Sequence, residues 1–444
     1  MSTKEHLDNF ETKKHVHFCG VDYLNYEIQV SSNEKIPNLN SRKRKLSTDY
    51  NPVRILVDTT YIDKQVLEPK MQDMQDKLPI IKSALNRALK GIKQLLEVKQ
   101  FEYNIYSDLN ESLFHNFGIF EWDDQLNDPE KISLNYDYVL LARFMVETDN
   151  IPIGVLAGAM PILLEGETKR PIAGLLLISN SSKYFEKDNV EYYFSNVFIH
   201  ELTHAFGFLA DAFQYFPGGE QNSIFSRIDS NDIIRSFVKT KRVVEFAKKY
   251  YGCDSIEGVE VENQGIGGGQ AGSHWEGRIL FGEYMTSENY EDEVIISEFT
   301  LALLEDSGWY KTNYYTGGLM KFGKNKGCKF LSNYCLSDGY NTEFNDEFFP
   351  TFNQWYPSCT TGRLSRVYNL LNIYNFFDNP AYYYLIPKNQ DGTYSAGAFF
   401  SADYCPVNYH LTKEYEDSYF VGNCKRGNGN YGTNLYYINA QGIN

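Results

Sequence analysis

Two histidines and a glutamate inside an otherwise apolar stretch constrain this chain more than any other feature. The stretch reads Val197-Phe198-Ile199-His200-Glu201-Leu202-Thr203-His204-Ala205-Phe206-Gly207-Phe208. Its apolar positions predict a buried helix, and buried polar groups without partners would cost several kcal/mol. On a helix, His200 and His204 stand at i and i+4, on one face and about one turn apart, so both imidazoles reach one metal ion. Glu201 lies beside that pair, where a carboxylate can take a proton from a metal-activated water instead of binding the metal itself. Gly207 suits a helix end at which the chain turns sharply. The HExxH spacing alone also arises by chance, and the apolar setting is what favours a metal site.

A catalytic zinc site usually has three protein ligands and one open position. Of the eight histidines, His6, His15 and His17 sit in a charged N-terminal stretch, and His115 and His410 lie in segments without other site-like residues. His274 differs. It follows the run Gly265-Ile266-Gly267-Gly268-Gly269 inside Ala271-Gly272-Ser273-His274-Trp275-Glu276, and Glu283-Tyr284-Met285-Thr286 comes shortly after. A glycine-rich approach lets backbone fold close against a helix, and a methionine in a turn can floor a three-histidine site. A His-Trp pair in a loop is by itself an ordinary surface pair. Paired with HExxHxxG, His274 becomes the favoured third ligand.

With these motifs the chain resembles the leishmanolysin-type zinc endopeptidases of the metzincin clan, in which HExxHxxG continues to a third histidine and a Met-turn. Most metzincins place that histidine three residues after the glycine, where this chain has Ala210. Leishmanolysin-like members carry a long insertion there, and the separation of 70 residues between His204 and His274 fits one. Arg170-Pro171-Ile172-Ala173-Gly174, Leu304-Glu305-Asp306-Ser307-Gly308-Trp309-Tyr310, Gly327-Cys328 and Ala402-Asp403-Tyr404-Cys405-Pro406 extend the resemblance over most of the chain beyond residue 50.

The resemblance implies one Zn²⁺ per chain on His200, His204 and His274, Glu201 as general base, and Met285 in the Met-turn. It implies peptide-bond hydrolysis with protein or peptide substrates and no covalent acyl-enzyme. The competing reading is a non-catalytic adhesion or binding protein that keeps the scaffold; loss of Glu201 would have favoured it. The implied fold is α+β, a metzincin-like arrangement of a mixed twisted sheet and an active-site helix, with an inserted central subdomain and a Cys/Tyr-rich C-terminal region. Its expected divisions are a partly disordered pro-segment at 1–50, a catalytic subdomain at 51–210, a central subdomain at 211–325 and a C-terminal region at 326–444. An edge strand that binds extended substrate is expected within 157–174.

His17-Phe18-Cys19-Gly20-Val21-Asp22 resembles the family's propeptide segment, in which a cysteine thiolate takes the open zinc position and holds the enzyme latent. The chain departs from that pattern at Val21, where the family usually has histidine. Ser41-Arg42-Lys43-Arg44-Lys45 reads equally as a processing site or as a solvated linker. The chain has seven cysteines: Cys19, Cys253, Cys328, Cys335, Cys359, Cys405 and Cys424. Setting Cys19 aside leaves enough for three disulfides, which fits a stapled C-terminal region in an oxidising compartment, with unpaired buried thiols as the alternative.

The net charge of −16 argues against nucleic acid or an anionic membrane as partner, since both are polyanions. No apolar secretory leader and no transmembrane segment is legible, so the cysteines point outside the cell while the N-terminal sequence does not; a cytoplasmic location stays open. Two sequons, Asn110-Glu111-Ser112 and Asn180-Ser181-Ser182, are compatible with secretion. Val53-Arg54-Ile55-Leu56-Val57, Tyr138-Val139-Leu140-Leu141-Ala142-Arg143 and Ile172-Ala173-Gly174-Leu175-Leu176-Leu177-Ile178 read as strands. Helical spacing puts Ile80, Ile81, Leu85, Leu89, Ile92 and Leu95 on one face, and a further helix is expected from Ile296 to Asp306, stopped by Gly308.

Overall fold

Continuous runs of branched apolar residues set the layout. In a computed structural model they form strands buried at every position, the signature of a sheet covered on both faces. The structure describes residues 46–102, 135–146, 154–186, 190–229, 234–263, 272–289, 295–316 and 320–332, with shorter pieces at 17–19, 29–30, 105, 335–336, 341–349, 357–359, 366–368, 372–375, 388–397 and 399–407. The basic run at 41–45, the glycine run at 265–269, the sequon at 110–112, Val21 and Cys424 lie outside the described residues.

In chain order, the elements begin with strands β1 (His17–Cys19), β2 (Gln29–Val30), β3 (Leu46–Pro52) and β4 (Ile55–Asp58), then helix α1 (Leu78–Leu95). Strands β5 (Leu96–Phe101), β6 (Tyr138–Phe144), β7 (Val155–Leu164) and β8 (Pro171–Ile178) lead into helix α2 (Val190–Ala205). After it come β9 (Ile224–Ile228), β10 (Ile234–Val238), helix α3 (Lys241–Tyr251), β11 (Val259–Val261), β12 (Glu288–Asn289), helix α4 (Glu298–Asp306) and β13 (Lys311–Thr312).

The largest sheet has the order β12-β1-β7-β8-β6-β4, with β2 also on β7. Strands β4, β6 and β8 run parallel, and β7 is antiparallel to β8. Helix α2 lies against β7 and β8 and packs on α1. The apolar face expected on α1 is the one it buries: Ile81, Leu85, Leu89, Ile92 and Leu95 are buried, and Ile80 is half-buried. Each such side chain removed from water contributes about 1.5–3 kcal/mol. The region expected to supply an edge strand divides in two. Strand β8 is interior, and the outer side of β7 is taken by β1 at Val155 and Ala157 and by β2 at Leu163 and Leu164.

Smaller sheets β9-β10-β11 and β3-β5-β13 flank this body. Two disulfides join Cys253 to Cys328 and Cys335 to Cys405. The first ties the residue after the C-cap of α3 to residue 328, so the stapling reaches back out of the C-terminal region. Among the described residues, no helix is long and apolar enough to cross a membrane.

Candidate metal centre

Helix α2 ends as the apolar pattern requires. His200, Glu201 and His204 are fully buried in its last turns. Gly207 follows at φ 115°, in the region that favours glycine, and a Cβ there would lie 2.6 Å from the ring of Trp309. The turn brings the Phe208 carbonyl back to accept from His204 Nδ1 at 2.7 Å.

His274 arrives along a different route. Its segment is clasped between β11 and the turn carrying Met285. Trp275 bridges Val261 on one side and Thr286 on the other. The Glu262 amide donates to the His274 carbonyl at 3.0 Å, and the Trp275 amide donates to the Met285 carbonyl at 2.9 Å.

The three rings converge through their Nε2 atoms, which lie 3.1 Å (His200 to His204), 3.0 Å (His204 to His274) and 3.3 Å (His200 to His274) apart. Each Nδ1 faces an acceptor: the Tyr284 carbonyl for His200 at 2.5 Å, the Phe208 carbonyl for His204, and Glu262 Oε1 for His274 at 2.5 Å. Those bonds put the ring proton on Nδ1 and leave three Nε2 lone pairs aimed at one another. Three buried lone pairs in contact repel one another, and a bound cation would relieve that repulsion. Nitrogens about 2.0–2.1 Å from one tetrahedral ion stand about 3.3 Å apart, close to the spacing observed. The donor set therefore fits a metal ion.

Cys19 completes the cluster. Its Sγ lies 3.3 Å from His204 Nε2 and 3.6 Å from Glu201 Oε2. One ligand atom from each of Cys19, His200, His204 and His274 lies within 4.8 Å of the others, and all four residues are buried. Strand β1 carries the thiol there, held between β7 and β12.

Comparison with known proteins places the chain in a family. The family model described as leishmanolysin, peptidase M8, matches residues 74–427. The chain belongs to the leishmanolysin family. It is 29% identical over 330 residues to a leishmanolysin-like peptidase of Caenorhabditis briggsae, covering 62% of this chain and 48% of that protein. It is 33% identical over 205 residues to a leishmanolysin-like peptidase of Drosophila pseudoobscura pseudoobscura, covering 38% of this chain and 30% of that protein. It is also 33% identical over 171 residues to a leishmanolysin of Leishmania donovani, covering 38% of this chain and 28% of that protein. The chain thus spans less than half the length of these relatives.

In this leishmanolysin-family chain the turn after His274 is built on a buried acid. Glu283 accepts from the Met285 amide at 2.5 Å, the Ser297 hydroxyl at 2.8 Å and the Thr300 hydroxyl at 2.6 Å. Burial pushes its carboxyl up to about 7, against the pull of those donors. Met285 itself is fully buried.

Behind His274, Glu260 on β11 accepts from Arg235 and Arg278, each at 2.7 Å, and Asp403 lies 3.3 Å from Arg278 Nε. Burial, with Asp403 and Glu260 nearby, pushes the carboxyl of Glu276 well above the ordinary range. Reading the sequence found the four clustered residues, Glu201 and Met285. It missed Glu262, Glu283 and this network. The signal available was Val259-Glu260-Val261-Glu262, acids alternating with valines where a half-exposed strand would show polar residues facing water.

Proposed function

We propose that this chain is a zinc-dependent endopeptidase with His200, His204 and His274 as metal ligands and Glu201 as general base. The observation that carries the reading is the convergence of three Nε2 lone pairs beside a buried glutamate. Zinc held there would acidify a water molecule and polarise the scissile carbonyl. The Glu201 carboxylate accepts the proton of that water and passes it to the departing amine. Its place on α2, one residue after His200, keeps it beside the cluster. Met285 serves as the Met-turn residue of a metzincin-type site.

The same reading makes Cys19 a latency ligand. Strand β1 covers the side of β7 on which an extended substrate would add as a strand, and its thiol stands against His204. One segment thereby blocks both the substrate edge and the fourth metal position. The oxidised cysteine pairs suit an extracellular or cell-surface setting. The test is casein cleavage by the full chain and by Cys19→Ser, with and without a chelator. Chelator-sensitive cleavage that rises in Cys19→Ser without processing supports the proposal. Zinc bound without cleavage in either form would overturn it.

A further inference from the structure

We infer that Glu262 is a positioning residue for the third ligand, acting through His274 and setting how tightly the metal is held. The inference rests on the metal-centre reading above and deepens it. Glu262 follows β11 directly, and its side chain is 3% exposed. Its Oε1 accepts from His274 Nδ1 at 2.5 Å, while its amide donates to the His274 carbonyl at 3.0 Å. One residue therefore fixes both the ring and the backbone of the ligand. The other two rings lean on backbone carbonyls, from Tyr284 and Phe208. The His274 ring leans on a carboxylate.

The charge is the decisive feature. A buried carboxylate needs a compensating cation, and one left without it costs several kcal/mol. Among the described residues no lysine or arginine forms an ion pair with Glu262; the group that faces its carboxylate is the His274 ring. Arg235 and Arg278 are engaged instead by Glu260, two residues earlier. A metal ion on His274 Nε2 would add positive charge felt through the imidazole, in a carboxylate–histidine–metal relay. Such a relay makes the imidazole a stronger donor and locks its tautomer. The clasp of Val261 against Trp275 keeps the carboxylate in register with the ring.

The experiment is a competition titration of zinc against a chromogenic chelator on the full chain, comparing wild type, Glu262→Gln and Glu262→Ala. Zinc affinity should fall by about 10-fold in Glu262→Gln, which keeps the acceptor but not the charge, and toward about 100-fold in Glu262→Ala. The metal-free melting temperature of Glu262→Gln should match that of metal-free wild type, because glutamine keeps both the acceptor for His274 Nδ1 and the backbone bond to His274. A merely structural role would lower that temperature instead. Wild-type zinc affinity in Glu262→Gln, or a lowered metal-free melting temperature in it, overturns the inference while leaving the metal centre standing. If wild type itself binds no zinc, the metal-centre reading fails and this inference falls with it.

Discussion

The end of helix α2 and the His274 segment supply parts of one cluster by different physical means. On α2 the spacing of His200 and His204 comes from helical geometry, and a single glycine turn provides the acceptor for His204. The His274 segment has no regular element of its own at the ligand. It is held by β11 on one side, the Met285 turn on the other, and a carboxylate behind the ring. Local geometry can be encoded in a dozen residues. The second arrangement needs Glu260, Glu262, Arg278, Glu283 and Asp403 to be assembled from across the fold. The helix end should therefore tolerate changes around it better than the His274 segment does.

The comparison can be broken most decisively at the ligands themselves. His274→Ala and His200→Ala are both expected to lose zinc and all cleavage, while circular dichroism shows wild-type helix content in His274→Ala. Zinc content and casein cleavage check this; normal zinc in His274→Ala would remove the third ligand. Next in size, Glu201→Ala should keep zinc and lose about 10²–10⁴-fold in kcat/KM.

Glu283 sharpens the contrast through pH. Its carboxyl is raised from 4.5 to about 7 by burial, so the neutral form is the one the fold prefers. Its contribution to stability is fully present below pH 4.5 and is lost as pH rises through about 7. The loss amounts to about 3 kcal/mol at 1.36 kcal/mol per pH unit. Unfolding of metal-free wild type and Glu283→Gln across that range should show their difference shifting by this amount against wild type. A pH-independent difference would refute the assignment.

A smaller effect is expected from a pair of glycines. A Cβ on Gly277 would lie 2.5 Å from the Ser401 carbonyl oxygen, a backbone atom that cannot easily yield. Gly277→Ala should cost about 1–3 kcal/mol and lower the melting temperature. On α1, a Cβ at Gly91 meets the end of the Ile199 side chain at 3.3 Å. Gly91→Ala should stay within about 1 kcal/mol, since helix propensity favours alanine by a similar amount. Equal losses at both positions would contradict the difference between the two regions.

This asymmetry also explains what could be read in the chain. HExxH, Gly207 and the α1 face were legible because each is a local pattern matched to one helical period. Strands β6 and β8 were legible as apolar runs. His274 and Met285 could be picked out by composition around them and by family resemblance. Their supports could not. The carbonyls of Tyr284 and Phe208 leave no side-chain mark, and Glu262 reaches His274 only through the pairing of Val261 with Trp275. The disulfide partners were open for the same reason, because cysteine spacing does not encode which loops meet.

The central claim is a single metal centre of three imidazoles in which Cys19 takes the fourth position. X-ray absorption at the zinc edge, on the full chain and on Cys19→Ser, tests it most directly. The account predicts one zinc per chain with three imidazole nitrogens and one sulfur as nearest neighbours, and loss of the sulfur alone in Cys19→Ser. Absence of bound zinc, or a zinc environment unchanged by Cys19→Ser, would contradict it.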